Sequence, residues 1–494
     1  MSRLRVEWWF WFLVFSLSPA CTKSIQTPKP LVIAYPVSQI QEWQFDPSLA
    51  NREVDLKMLH FLYRGLFTPS HSLQMEPDTA KNYSIDGHVL KITIHSEIYW
   101  SDGVLLTVEH YRDGILRSLN QPKPSGASLD FKNIFSDECQ KTKEWARCVT
   151  VSQNELILKF RIAGDLALPY LSHPMAFPER LDIINKLPQK PYAAPKNYPS
   201  LGPYIPTLIQ KNSIQFMPVS PELTPVKIQQ VLPGDISIED IKIGKFHIIE
   251  PPAIPWMNSE FVLNHIYSFP EFNLIALIEN LDPNDRSLFE ATDPKIIGQY
   301  IQNKGLPISL PPKEIAEWMQ ICTHMRPKML IIGTQIQKES RISLFGPNSL
   351  FAIWASESIQ SQITQNRLTK IDFIPLSDSV LAGYVLYQKP KHLLYLFRSV
   401  IPSPIPILNV FGLEQGRQSA ADQRVSFYNF LYHSYLESPG NQRDKIRKDI
   451  LKYLCIESHK MFPLFSMPGY AFIHPQVSHF ERKGNGAYIE IVTK

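Results

Sequence analysis

The apolar positions of this chain change their period at short intervals. In "VLKITIH", Leu90, Ile92 and Ile94 alternate with Lys91, Thr93 and His95, the two-residue repeat of a half-buried strand. Asp86-Gly87 ahead of it is a hairpin-type turn signal. The next stretch, "YWSDGVLLTVEHY" (Tyr99 to Tyr111), ends a strand-like run on aromatics and restarts as a helix. Ser101-Asp102-Gly103 predicts a turn, with glycine free to take positive φ. Thr107 is placed to cap a helix, and Glu109 falls in its first turn, where the dipole favours negative charge. Val108, Tyr111, Ile115 and Leu119 follow at helical spacing.

The same reading gives elements along the rest of the chain. "LVIAYP" (Leu31 to Pro36) is a buried strand, Asp55 to Phe67 a helix closing at Gly65, and Glu155 to Ile162 an alternating strand. "LPQKPYAAPKNYPSLGPYIP" is a proline-rich loop tract, and "NSIQFMPV" is strand-like. Ile238 to Ile249 reads as a short helix, a stop at Gly244 and a strand. "FNLIALIEN", "KMLIIGT" and "KIDFIPL" are strands, and "SLFAIWASESIQSQIT" is a helix. The clearest helix is "QRDKIRKDILKYLCIESHKMFP". There Ile446, Ile450, Tyr453 and Leu454 share a face, Asp444 and Lys448 are spaced to pair, and Pro463 ends the helix. Strands and helices alternate throughout with no internal repeat, so the class is α/β.

Composition refines this picture. With 494 residues the chain has material for two or three lobes, and 44% hydrophobic against 19% charged residues describes a globular protein. Proline at 42 outnumbers glycine at 20, which implies fixed loops and edge segments rather than disorder. The net charge of +4, with no basic run, argues against nucleic acid as a partner.

Arg3 and Arg5 precede the apolar run "WWFWFLVFSL", which is short of the roughly 20 residues a membrane span needs but suits a signal-peptide core. "SLSPAC" follows, and Cys21 after Ala20 resembles the lipobox cysteine of bacterial lipoproteins, although Ser18 and Pro19 depart from its usual residues. Ordinary cleavage after Ser18-Pro19-Ala20 is the other reading. Both export the chain, and removal of residues 1–20 takes away Arg3, Arg5 and Glu7 and leaves +3. Export makes disulfides available. Cys139 and Cys148 close a short loop, "CQKTKEWARC", and are the favoured bridge. Cys322 and Cys455 are either a second bridge or buried thiols.

No catalytic constellation stands out. The chain lacks GxSxG, GxGxxG and P-loop patterns. His474 and His479 lack metal-ligand spacing, Asp282 and Asp285 sit in the turn composition "DPND", and Ser101-Asp102, set between a strand and a helix, reads as a structural turn. Tyr384, Tyr387, Tyr395 and Phe397 are either core or the floor of a ligand cleft.

These segments together carry a family resemblance. "LVIAYP", then Asp46-Pro47, Gly65-Leu66, Pro77, Ala80 and Asp86-Gly87 lead into Trp100-Ser101-Asp102-Gly103 and the Thr107 helix start. "LSHPMAFPERL", "SLGPYIPTLIQKNSIQFMP" and "DKIRKDILKYLCIESHKMFPLFSMPGYAFIHPQV" follow in order. In these the chain resembles the bacterial extracellular solute-binding proteins of family 5, the oligopeptide- and dipeptide-binding lipoproteins of ABC importers. The resemblance spans most of residues 31–483 and is weakest from about 260 to 420.

It implies an α/β, two-lobed periplasmic-binding-protein clamshell, type II-like, with an extra subdomain inserted in the first lobe. Lobe I is placed at 31–68, 175–272 and 463–494, the inserted subdomain at 69–174, and lobe III at 273–462, after a signal peptide at 1–20. It implies capture of a peptide or other small solute in an interlobe cleft, by Tyr35, Tyr384, Tyr387, Gln388 and Lys389, and delivery to an ABC permease in the inner membrane. The implied protein is a monomer and not an enzyme, takes no cofactor or metal, and is held at the cell envelope by a lipid on Cys21 or free in the periplasm.

One departure matters. Peptide binders of the family carry an acidic residue after an aromatic in lobe III, which pairs with the peptide amino group. Tyr384 matches the aromatic, but Val385 to Phe397 contains no Asp or Glu and has Lys389 and Lys391 instead. The helix that should carry Arg-x-Ala-Leu reads "SLFEATDPKII". A diverged binding module acting as a periplasmic sensor or interaction protein without transport is therefore the alternative.

Overall fold

The computed structural model describes the chain from residue 29 to residue 493, apart from residues 187–197, 280–287, 325–340, 377–390, 399–422, 483–487 and shorter gaps. The expected strand "KMLIIGT", the Asp282/Asp285 turn and Cys21 lie outside the described residues.

Two sheets organise the molecule. The first has seven strands, in the order Ile266–Phe269, Gly469–Ile473, Ile248–Ile249, Leu31–Pro36, Val226–Val231, Ser213–Pro218 and Tyr204–Ile209. Its central strand Leu31–Pro36 runs parallel to both neighbours. Alternation sorts its side chains: Leu31, Ile33 and Tyr35 pack with helix Glu53–Leu62, and Ala34 packs on the other face with Ile249, Trp256 and Phe472. The helix is shorter than the sequence pattern suggests. It stops at Leu62, and Phe67 already begins a strand.

The second sheet has five strands, Lys370–Leu376, Arg341–Pro347, His392–Arg398, Asn273–Glu279 and Met461–Ser466 in that order. Helix Leu350–Asn366 joins the two parallel strands Arg341–Pro347 and Lys370–Leu376. Pro463 does not end the preceding helix. Helix Gly440–Lys452 passes into a wide turn over Tyr453–Glu457, and Pro463 lies inside the edge strand, opposite Ala276, where the register slips. An edge position next to a bulge tolerates a residue without an N–H. Residues 463–466, expected in lobe I, thus pair within the second sheet. Asp444 pairs with Arg447 at 3.0 Å, one turn along the same helix.

A four-stranded antiparallel sheet, ordered Ala80–Asp86, Val89–Ile94, Glu155–Lys159 and Val149–Ser152, carries the segment between the first two strands of the large sheet. Helix Val108–Leu119 packs on it through Val108, Tyr111, Ile115 and Leu119, all buried. Cys139 and Cys148 are joined by a disulfide, as their spacing suggests, and Cys322 and Cys455 are joined as well.

The Trp-Ser-Asp-Gly turn is scaffold. Trp100 is 1% exposed and meets Tyr63, His110 and Tyr198 edge-on. Gly103 takes φ +85°. Asp102 is held by Arg180 at 2.9 Å, and Ser101 exchanges hydrogen bonds with the backbone of Ser200. Thr107 begins the helix as expected, but its backbone N–H donates to His110 Nδ1 at 3.1 Å, a position usually held by Glu or Gln. Burial and the nearby Arg180 lower the His110 pKa, which keeps that nitrogen an acceptor. Asp46, of the Asp-Pro pair, accepts a bidentate ion pair from Arg117 at 2.6 and 2.5 Å, and Arg117 also reaches Glu179 at 3.0 Å. These charges fix the inserted sheet to the large one.

Candidate functional site

In an open α/β sheet, ligands bind beyond the carboxyl ends of parallel strands, where the connections turn to opposite sides. The first sheet has such a point at Tyr35-Pro36. From the central strand the chain reaches Val226–Val231 on one side, then Ile248–Ile249 on the other. The second sheet has one at Pro347. From Arg341–Pro347 the chain passes to Lys370–Leu376 on one side and then to His392–Arg398 on the other.

The register places the two points on opposite sides of one hinge. Strand Ile266–Phe269 leads into Asn273–Glu279 in the second sheet, and Met461–Ser466 returns into Gly469–Ile473 in the first. The crossings lie side by side, with Phe269 opposite Gly469 and Leu274 opposite Ser466. The parallel strands of both sheets point their carboxyl ends at this double crossing. Phe351, at the start of helix Leu350–Asn366, bridges the sheets: it stacks on Tyr470 of the first at 5.5 Å and on Phe465 of the second at 6.4 Å.

Tyr35 lies opposite Gln230 and is 3% exposed. The Lys57 ammonium stands 5.6 Å from its ring centroid, within cation–π range. The same ammonium bonds Glu250 at 2.6 Å and Glu53 at 2.5 Å. Glu250 follows strand Ile248–Ile249, its N–H donates to Ala34, and its bond to Pro251 is cis. Gln230 exchanges two hydrogen bonds with the backbone of Gln41. Lys57, Glu250 and Gln230 carry no local signal that sequence reading can detect; their partners lie far along the chain.

Of the expected ligand residues, only Tyr35 falls within the description, and Tyr384, Tyr387, Gln388 and Lys389 lie outside the described residues. Lys391 is exposed at the amino end of its strand, opposite the hinge end by register: its neighbour His392 pairs with Glu279, while Arg398 pairs with Asn273. Tyr395 lies in strand His392–Arg398, opposite Ala276, with its side chain partly buried against the core. His474 accepts from the Gln476 N–H and meets the Lys242 carbonyl. Among the described residues, no group of three His, Cys, Asp or Glu is placed to hold a metal ion, and no helix is long and apolar enough to cross a membrane.

A second contact joins the inserted subdomain to the lobe of the second sheet. The Ala163 N–H donates to the Leu436 carbonyl at 2.8 Å, and Asp165 pairs with Arg443.

By sequence, no family model and no curated protein matches this chain. By structure it is similar to the Escherichia coli murein tripeptide binding protein MppA, at 13% identity and TM-score 0.64 over 94% of this chain and 99% of that one. It is also similar to a periplasmic oligopeptide-binding protein, OppAIV, of Borrelia burgdorferi, at 16% identity and TM-score 0.64 over 90% and 96%. NikZ of Campylobacter jejuni, solved in complex with Ni(L-His), aligns at 16% identity and TM-score 0.62 over 93% and 97%. The chain therefore has the two-lobed clamshell fold of periplasmic solute-binding proteins, over nearly the full length of each.

Proposed function

We propose that the protein is an extracytoplasmic solute-binding protein. It captures a peptide or other small solute between its lobes and delivers it to an ABC-type permease. The observation that carries this reading is the pair of switch points aimed at one double crossing, because that arrangement lets a ligand touch both lobes and favour the closed state by its differential affinity. Binding rather than catalysis fits the absence of a nucleophile–base set in the sequence, and the full-length likeness to proteins named for binding supports it. Tyr35, buried at the carboxyl end of its strand, supports the first lobe's side of the cleft from beneath, and Tyr384, Tyr387, Gln388 and Lys389 supply the facing side. Export, with a lipid on Cys21, places the protein at the cell envelope as a monomer.

The test is a thermal-shift panel of short peptides, nickel–histidine and anionic metabolites, with native mass spectrometry of the purified chain. A ligand at one hundred times its Kd adds about 2.7 kcal/mol. A rise in melting temperature with one ligand class supports the proposal. No shift across the panel and no co-purified small molecule overturns it.

The missing carboxylate between Val385 and Phe397 favours a second reading, a sensor without transport. Uptake of the identified ligand that persists in a strain lacking this protein would select it.

A further inference from the structure

The first sheet exposes large apolar side chains at the end from which the chain enters it. Leu31 pairs with Val226, Val226 with Phe216, and Phe216 with Pro206, so the register carries this level across to the outermost hairpin. There Ile205 and Met217 oppose each other across the strands, 38% and 42% exposed. Val219 follows, 60% exposed, with its N–H donated to the Pro203 carbonyl. On the other side of the entering strand, His247 exchanges two hydrogen bonds with the backbone of Val32. Just ahead of it stands Ile243, 65% exposed, between the exposed Lys242 and Lys245. Among the described residues, none of these side chains belongs to a buried core cluster.

The length of the chain ahead of this end bounds how far an anchor on Cys21 could lie from them. From Cys21 to residue 29 an extended chain spans at most about 28 Å, at roughly 3.3–3.6 Å per residue. The hairpin lies two to three strands from the entry strand, about 10–15 Å at sheet spacing. An acyl chain on Cys21 would hold this end of the sheet within reach of the bilayer, with Ile205, Met217 and Val219 on one flank of the tether and Ile243 on the other. Lys29, Lys242 and Lys245 are exposed beside them, and lysines keep their charge at the headgroups while their stems lie along apolar surface.

We propose that this end of the first lobe, through Ile205, Met217, Val219 and Ile243, rests on the lipid surface and sets the orientation of the tethered protein. The proposal rests on the lipoprotein reading of Cys21 and goes beyond it, since a tether alone fixes no orientation.

The experiment supplies the anchor chemically. The chain from Cys21 onward is coupled through that thiol to a maleimide lipid in phosphatidylcholine vesicles, with and without brominated acyl chains. Val219→Trp and Ile243→Trp report on the face, and Ile296→Trp, exposed on the second lobe, is the reference. The expected result is at least a twofold loss of the added tryptophan emission in brominated vesicles at 219 and 243, and none at 296. Absence of quenching at 219 and 243, or equal quenching at 296, overturns the proposal. So does a dimer of the uncoupled chain that Val219→Ser with Ile243→Ser dissolves, which assigns the face to a second copy. The mass of mature protein from its native host tests the anchor separately. An unmodified Cys21 ends the anchor reading and the proposal with it, whatever the vesicles show.

Discussion

Gly469 and Phe269 face each other across the double crossing so closely that a β-carbon on residue 469 would fall 1.8 Å from the phenylalanine ring. The Glu271 carboxyl carbon would lie 2.6 Å from the same atom, and Glu271 is itself bonded to Asn273 where the second sheet begins. Both chains of the hinge therefore meet at a position that has room only for hydrogen. Gly469→Ala is expected to cost about 1–3 kcal/mol, the usual penalty for overpacking. Phe269→Leu should restore part of it. Urea denaturation of the two single variants and the double variant measures the coupling, and additive effects would refute it.

The Lys57–Glu250 pair is buried beside the first switch point, with 7% and 2% of the side chains exposed. Removing one partner of such a pair costs about 3–5 kcal/mol, since it leaves a charge in low dielectric. Lys57→Met is expected to fall in that range. Lys57→Met with Glu250→Gln should recover a large part of the loss. Equal stability of the single and double variants would show that the pair is not coupled.

Acid should destabilise the fold through histidines kept neutral. Burial pushes the His173 imidazole down to about 4, and its Nδ1 accepts the Met175 N–H. Burial also lowers His110 and His247. With folded values below the ordinary 6.5, the unfolded chain takes up protons that the folded chain refuses. The stability that His173 contributes is full above about 6.5 and is lost as pH falls towards 4, and His110 and His247 act in the same direction. For the buried His173 this amounts to at most about 1.4 kcal/mol per pH unit within that window. Unfolding free energies at pH 7, 6 and 5 should fall progressively, and His173→Gln should flatten the slope. A pH-independent stability over that range contradicts the assignment.

Reduction should loosen the inserted subdomain. The Cys139–Cys148 bridge closes a short loop with a sequence separation of 9, for which loop entropy predicts about 3 kcal/mol. Cys139→Ser with Cys148→Ser is expected to lower stability by about that amount, and proteolysis should cut first between residues 137 and 147. An unchanged urea midpoint would mean that the loop is held by its packing alone.

The sequence by itself determined what depends on neighbours in the chain. The alternation of Leu90, Ile92 and Ile94, the Ser101-Asp102-Gly103 turn, the Thr107 start and the short disulfide loop are set by contacts a few residues apart, so they read off directly. The segments quoted for the family resemblance also indicated the two-lobed clamshell. Only the tertiary structure decided the rest. Pro463 reads as a helix stop because proline breaks helices, yet an edge position opposite Ala276 let it join a strand. Asp46 found Arg117 at a separation of 71 residues, Lys57 found Glu250 at 193, and Cys322 found Cys455 at 133. Such pairs leave no periodic trace, because each joins segments that only the packing of the whole chain brings together.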